Sequence, residues 1–95
     1  MEIFNVEIQG NQGELSLHTQ DNKKIGRILL QKDGGNLIAT STVVMPEFEG
    51  KGYAKQLFNE LVSHARNNNF KIVPKCPYIL AQFEKKPNDF ADIWA

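Results

Sequence analysis

Apolar and polar residues alternate along the first half of the chain, beginning with Phe4 and Val6. A period of two residues is typical of strands that bury one face. Turn-forming sequences separate four such segments, and they lie at residues 10–13, 21–24 and 33–36. We therefore predict four strands, and their short connections favour an antiparallel meander.

The third and fourth strands are predicted over residues 25–31 and 37–45. The fourth segment is rich in β-branched residues, which favour strands, and Pro46 follows it. Because proline lacks the N–H that would continue a sheet ladder, the strand should end at this point.

The apolar period changes beyond Gly52, where apolar residues recur every three or four positions. This spacing predicts a helix from about Gly52 to Arg66. The helix should end in the asparagines at residues 67–69, because Asn accepts the left-handed conformation found at helix ends.

Residues 71–73 predict a short fifth strand that ends at Pro74. Residues 77–85 predict a second helix with Pro77 in its first turn, where a missing N–H costs nothing. Because a helix joins the fourth and fifth strands, a right-handed crossover should make them parallel. We predict an α/β fold of the mixed-sheet type, with antiparallel N-terminal strands followed by a helix, a parallel strand and a C-terminal helix.

Length and composition limit the classes of protein to consider. The 95 residues make one domain with one core, over residues 1–95. The 11 basic residues offset 11 acidic ones, which disfavours nucleic-acid binding by counterion release. The single cysteine, Cys76, can form no internal disulfide, and no segment approaches the about 20 apolar residues of a membrane span. We expect a cytoplasmic protein with no metal site, because one Cys and two separated His do not have the spacing of zinc ligands.

The junction between the fourth strand and the long helix contains Gly50 and Gly52, one residue apart. Glycine accepts positive φ and lets a ligand approach the backbone closely. The N-terminus of a helix adds unpaired N–H groups and a partial positive charge, so the turn at residues 49–54 predicts a pyrophosphate site. Lys51 and Lys55 are placed to contact a phosphate. The alternative interpretation is a tight turn flanked by solvated lysines.

The same turn resembles the coenzyme A motif of the GNAT superfamily of N-acetyltransferases. The family pattern Gln/Arg-x-x-Gly-x-Gly/Ala corresponds here to Glu49-x-x-Gly52-x-Ala54, with Glu49 in place of Gln or Arg. Residues 72–78 resemble a short branch of the superfamily, and the resemblance as a whole covers residues 40–92.

The resemblance implies an N-acetyltransferase that uses acetyl-CoA as cosubstrate and an amine as acceptor. It also implies that backbone N–H groups at the end of the fourth strand polarise the thioester carbonyl, while the turn binds the coenzyme. The implied coenzyme-binding residues are Val43, Val44, Met45, Glu49, Gly50, Lys51, Gly52, Tyr53, Ala54 and Lys55.

The resemblance further implies a tyrosine acid in the helix after the fifth strand, but alignment of residues 81–85 places Phe83 there. Tyr78 and Cys76 are the nearest substitutes. Cys76 precedes the predicted helix, and both a helix N-terminus and the neighbouring Lys75 favour a thiolate. Cys76 is therefore a candidate nucleophile or acid, and the alternative is a small buried apolar residue.

Ligands bind outside the carboxyl ends of parallel strands, so Cys76 and Tyr78 should face the same cleft as the glycine turn. Three hypotheses follow for the function. The first is an acetyl-CoA-dependent N-acetyltransferase, the second a coenzyme A-binding module with little or no catalysis, and the third an interaction module. The chain is expected to act as a monomer or a homodimer.

Overall fold

The computed structural model describes residues 2–95 and has the predicted α/β order. The elements are β1 (Ile3–Gln9), β2 (Gln12–His18), β3 (Lys24–Asp33), β4 (Asn36–Val44), α1 (Tyr53–Asn67), β5 (Lys71–Pro74) and α2 (Pro77–Lys85). Short 3-10 helices cover Pro46–Phe48 and Pro87–Phe90. The observed boundaries of β3, β4, β5, α1 and α2 lie within two residues of the predicted ones, because the Gly, Pro and Asn residues that end helices and strands act on the local backbone.

The five strands form one sheet in the order β1-β2-β3-β4-β5. The first four pair antiparallel, and β4 pairs parallel with β5. The long helix α1 supplies the crossover between these two strands, so the parallel pair and the mixed sheet are confirmed.

Both helices pack into a single core on one face of the sheet. Leu57 and Phe58 of α1 are fully buried, as are Ile79 and Phe83 of α2. The Phe58 and Phe83 rings meet edge to face with centroids 5.7 Å apart. Apolar residues from the alternating positions of the strands complete the core, among them Leu15, Leu17, Ile28, Leu30, Leu37 and Ile72. The positions of α1 and α2 over β4 and β5 determine where the functional site can lie.

Gly26 allows β3, β4 and α1 to pack closely. A Cβ atom at this position would lie 2.6 Å from the carbonyl oxygen of Val43 and 3.2 Å from Leu57 Cδ1. Any side chain here would therefore displace the end of β4 or the first turns of α1. Neither helix, within residues 2–95, is long and apolar enough to cross a membrane.

The C-terminal segment packs along the free edge of β5. The Ile72 N–H donates to the Ile93 carbonyl at 2.6 Å, and the Ala95 N–H donates to the Ile72 carbonyl at 2.9 Å. Arg66 of α1 pairs with Asp92 at 2.9 Å. These contacts cover an edge that would otherwise present unpaired backbone groups.

Candidate coenzyme and active site

The strands β4 and β5 separate where the candidate site begins. Their pairing extends only from Asn36–Lys71 to Ala39–Pro74, although β4 continues to Val44. The register of β4 against β3 shifts between Leu29 and Leu30, so Thr40 is an extra residue in β4. A gap therefore opens between the second half of β4 and the start of α2.

Among the three residues predicted to polarise a thioester, only Val44 directs its N–H toward this gap. The Met45 N–H already donates to the Ile25 carbonyl of the preceding chain at 2.8 Å. Alternate residues of an antiparallel strand point their N–H groups to the same side, so Val43 also faces β3 and Val44 faces away from it. The N–H groups of Val43 and Met45, which were predicted to share the role of Val44, are thus directed at β3.

The glycine turn has the backbone geometry that the sequence predicts. Gly50 has φ of 77° and Gly52 has φ of 82°, and both values lie in the left-handed region that favours glycine. Gly52 is the N-cap of α1. A Cβ atom at either glycine would meet no atom within 4 Å, so the backbone is open to the approach of a ligand.

The amides of residues 50–55 donate to no acceptor within residues 2–95. The first amide of α1 with an acceptor is that of Gln56, which bonds the Gly52 carbonyl. By contrast, the Glu49 N–H donates to the Pro46 carbonyl at 3.3 Å, so Glu49 does not share the free amides of the turn. The Glu49 side chain is exposed.

A cleft of about 290 Å³ brings the turn, the end of β4 and the start of α2 together. Its lining consists of Val44, Phe48, Glu49, Gly50, Gly52, Tyr53, Ala54, Lys55 and Tyr78. Most of the predicted coenzyme-binding residues therefore share one cleft. Val43, Met45, Lys51 and Cys76 are not part of this lining.

A larger cavity of about 520 Å³ lies at the opposite end of α1. It is lined by Arg66 and Asp92, which pair with each other, by Lys71, which donates to the Asp92 carbonyl, and by Ala65, Asn69, Phe70 and Ile93. Because Arg66 and Lys71 already bond to Asp92, this cavity offers fewer free donors to an anionic ligand than the smaller cleft with its free amides.

Tyr78 reaches the cleft from the first turn of α2. Partial burial raises the pKa of the Tyr78 hydroxyl above its ordinary value of 10.0, and the electrostatic interaction with the neighbouring Cys76 raises it further. The phenol is therefore protonated at neutral pH, as a proton donor must be.

Cys76 occupies the N-cap of α2, as its position before Pro77 predicts. Its N–H donates to the Ala39 carbonyl at 2.8 Å, and its sulfur lies 3.3 Å from the Thr42 hydroxyl oxygen. The side chain is 4% exposed. Cys76 thus lies at the point where β4 and β5 separate, but under the surface rather than in the cleft lining.

Phe83, which occupies the expected position of a tyrosine acid, is a core residue. It is fully buried, and its ring stacks on Phe90 at 5.2 Å and packs against Trp94 at 5.2 Å. The two histidines lie away from the cleft lining, and His64 stacks on Phe70 near the end of α1. No cluster of metal-binding side chains occurs within residues 2–95.

Sequence reasoning missed Gln82, which accepts a hydrogen bond from Lys55 at 2.8 Å. The sequence does indicate that Gln82 is unusual, because this polar residue falls on the buried face of α2 with Ile79 and Phe83. A polar residue in an apolar stripe usually has a specific partner, but its identity cannot be read from the pattern.

The chain belongs to the family of GCN5-related N-acetyltransferases, whose sequence profile matches residues 14–93. A GCN5-like protein from Staphylococcus aureus, solved by NMR, is similar at 25% identity and a TM-score of 0.68, over 96% of this chain and 87% of that one. No curated protein matches the chain.

Two crystal structures share the fold. A GNAT family acetyltransferase from Elizabethkingia anophelis with acetyl-CoA bound has a TM-score of 0.66 at 14% identity, over 93% of this chain and 74% of that one. Nourseothricin acetyltransferase has a TM-score of 0.52 at 16% identity, over 75% of this chain and 56% of that one. The GNAT resemblance and the predicted fold class are therefore confirmed.

Proposed function

We propose that the protein binds acetyl-CoA in the cleft between β4, the glycine turn and α2, and transfers the acetyl group to an amine. The observation that carries the proposal is the run of free amides at residues 50–55, on a backbone held open by Gly50 and Gly52. Free N–H groups at the positive end of a helix bind phosphate groups well. The coenzyme found in the Elizabethkingia anophelis protein of the same fold supports this choice of ligand.

The thioester of the bound coenzyme is proposed to lie in the gap between β4 and β5. There the Val44 N–H would donate to the thioester carbonyl oxygen. As an amine attacks the carbonyl carbon, negative charge develops on this oxygen, and a fixed N–H donor stabilises that charge. Coenzyme binding by the turn and polarisation by Val44 would then act on opposite ends of one ligand.

Tyr78 is the proposed acid of the reaction. When the bond between the carbonyl carbon and sulfur breaks, the thiolate of coenzyme A leaves and takes the phenolic proton of Tyr78. The attacking amine loses its proton to solvent, and a proton from solvent then restores the phenol. The raised pKa of Tyr78 supports this role because the phenol stays protonated until the thiolate forms.

Cys76 offers a second route to the same product. In this route Cys76 loses its proton to solvent and its sulfur attacks the thioester carbonyl, while the coenzyme thiolate leaves with the proton of Tyr78. The amine then displaces the acetyl group from the sulfur and loses its own proton to solvent, and protons from solvent restore Tyr78 and Cys76. The position of Cys76 at the helix N-cap beside the gap supports this proposal. Tyr78 serves as the acid on both routes.

The alternative function is a coenzyme A-binding module with little catalysis. The burial of Phe83 at the expected tyrosine position favours it, because no hydroxyl is available there. The two functions share the binding step and differ in the transfer step.

A titration of isotope-labelled protein with coenzyme A, followed by NMR, tests the binding step. We expect the largest shift changes at the amides of residues 44 and 50–55. Incubation with acetyl-CoA and a panel of primary amines, followed by mass spectrometry, tests the transfer step. Binding without any acetylated amine would favour the binding module, and no binding at all would contradict both functions.

A further inference from the structure

Lys55 occupies a position in α1 where its positive charge is electrostatically unfavourable when no ligand is bound. It is the third residue of the helix, and the first turn contains no acidic side chain. A cation at the N-terminus of a helix is repelled by the partial positive charge of the free amides. A residue that breaks such a local rule is a candidate for function, because a bound anion would reverse the sign of the interaction.

Gln82 holds the Lys55 ammonium group in this position. Its side-chain oxygen accepts a hydrogen bond from Lys55 Nζ at 2.8 Å, and its side chain is 7% exposed. The ammonium group also lies 5.5 Å from the centre of the Phe58 ring, at the distance of a cation–π contact. A buried amide and a buried ring are fixed by packing, so the ammonium they contact has a defined place.

The same contact connects α1 with the helix that carries the proposed acid. Gln82 lies four residues after Tyr78 in α2, and residues at this spacing occupy the same face of a helix. Lys55 and Tyr78 both line the cleft. Gln82 itself is not part of the lining, so its contact with Lys55 joins the two helices on the buried side of the cleft.

We propose that Gln82 is a positioning residue that fixes the Lys55 ammonium for contact with a phosphate of coenzyme A. The proposal rests on the function proposed above. An ammonium group has three N–H donors, and the bond to Gln82 uses one of them. The other two remain for phosphate oxygens. Lys55 adds a full charge to the free amides of the turn, and Gln82 removes the need to order a long side chain when the ligand binds.

The test compares Gln82→Met, which preserves the volume of the side chain but removes the acceptor, with Lys55→Met and with the double variant. The dissociation constant of coenzyme A is measured for each by calorimetry. We expect each single variant to weaken binding about tenfold, the size expected for a lost charge-assisted hydrogen bond. The double variant should be no weaker than Lys55→Met alone, because the two residues act as one unit. The control is Lys85→Met, which removes an exposed charge from α2, the helix that carries Gln82.

A second measurement separates positioning from packing. The kinetics of acetyl transfer are compared for acetyl-CoA and for S-acetylpantetheine, which has the same thioester but no phosphate. We expect Gln82→Met to raise the KM for acetyl-CoA and to leave kcat and the reaction of S-acetylpantetheine unchanged. Equal losses with both acetyl donors would show a structural role and overturn the proposal.

Wild-type affinity in Gln82→Met together with weak binding in Lys55→Met would also overturn the proposal, because Lys55 would then act without Gln82. Failure of the wild-type protein to bind coenzyme A is a different result. It would contradict the proposed function itself and would be seen before any variant is made.

Discussion

The hydroxyl oxygen of Thr42 in β4 lies 3.3 Å from the sulfur of Cys76 at the N-cap of α2. This contact spans the gap that opens beyond the last paired residues of β4 and β5. In the proposed function, a thioester arm that enters the gap would approach this pair. The contact therefore places the only cysteine at the inner end of the proposed reaction path, although its side chain is buried.

The first prediction concerns the role of Cys76. If the acetyl group passes through this sulfur, Cys76→Ser should lose turnover by orders of magnitude and still bind coenzyme A, because serine is a much weaker nucleophile without a base. Mass spectrometry of wild-type protein mixed with acetyl-CoA should then find one acetyl group on Cys76.

Cys76→Ala is the companion variant for this residue. Removal of a buried sulfur should lower the free energy of unfolding by about 1 kcal/mol, which urea denaturation can measure. Full activity in Cys76→Ala would exclude the covalent route and leave direct transfer with Tyr78 as the acid.

The second prediction concerns Tyr78. Tyr78→Phe should lower kcat about 100-fold or more, because the leaving thiolate loses its proton donor, while the affinity for coenzyme A stays unchanged. In the wild type the pKa of Tyr78 is raised, so the acid stays protonated at neutral pH and deprotonates only above pH 10.0. The kcat profile should therefore decline only in that alkaline range. A wild-type kcat in Tyr78→Phe would show that another group donates the proton.

The third prediction concerns the glycine turn. Gly52→Val should lower the free energy of unfolding by about 1–3 kcal/mol, because a β-branched residue is strained at φ of 82°. It should also abolish measurable coenzyme A binding, since the new side chain projects into the open approach to the free amides.

Gly34→Val is the matched control for Gly52→Val. Gly34 has φ of 59° and lies in the turn between β3 and β4, and a Cβ atom there would also meet no atom within 4 Å. The control should suffer a similar loss of stability and keep its affinity for coenzyme A. Unchanged affinity in Gly52→Val would show that the phosphates bind elsewhere.

The fourth prediction concerns the C-terminal segment. Hydrogen bonds from Arg66 lower the pKa of Asp92 below its ordinary value of 3.8. A carboxyl group with a lowered pKa in the folded state stabilises the fold above pH 3.8, and this contribution is lost as the pH falls through the folded-state pKa. Asp92→Asn should therefore be slightly less stable than the wild type at pH 7, with the difference fading below pH 3.8. Chemical denaturation at several pH values measures this difference, and a difference that persists in acid would contradict the role of the ion pair.

The fold could be predicted from the sequence because its signals are local. The alternation of apolar residues marks the strands, the wider spacing after Gly52 marks α1, and glycine and proline mark the boundaries. The parallel pairing of β4 and β5 follows from the connecting helix alone. The need for positive φ at the turn was also visible, and the values at Gly50 and Gly52 confirm it.

Which groups of the site are free and which are occupied could not be predicted in the same way. The Met45 amide donates to the Ile25 carbonyl, and the Glu49 amide donates to the Pro46 carbonyl. The amides of Val44 and residues 50–55 are therefore the ones left to contact a ligand. Local patterns identified all of these residues as candidates. The register of β4 against β3 separates Val44 from Met45, because a shift of one residue would exchange the amides that point toward the gap. The turn of Pro46–Phe48 occupies the Glu49 amide.

The sequence by itself determined the order of elements, the family and the position of the glycine turn, because each depends on neighbouring residues. The tertiary structure decided the partners of the buried polar groups. Lys55 meets Gln82 across 27 positions of the chain, and Thr42 meets Cys76 across 34. Such contacts depend on how two helices and two strands pack at one edge of the sheet. A period of two to four residues in the sequence carries no information on which residues so far apart in the chain will meet.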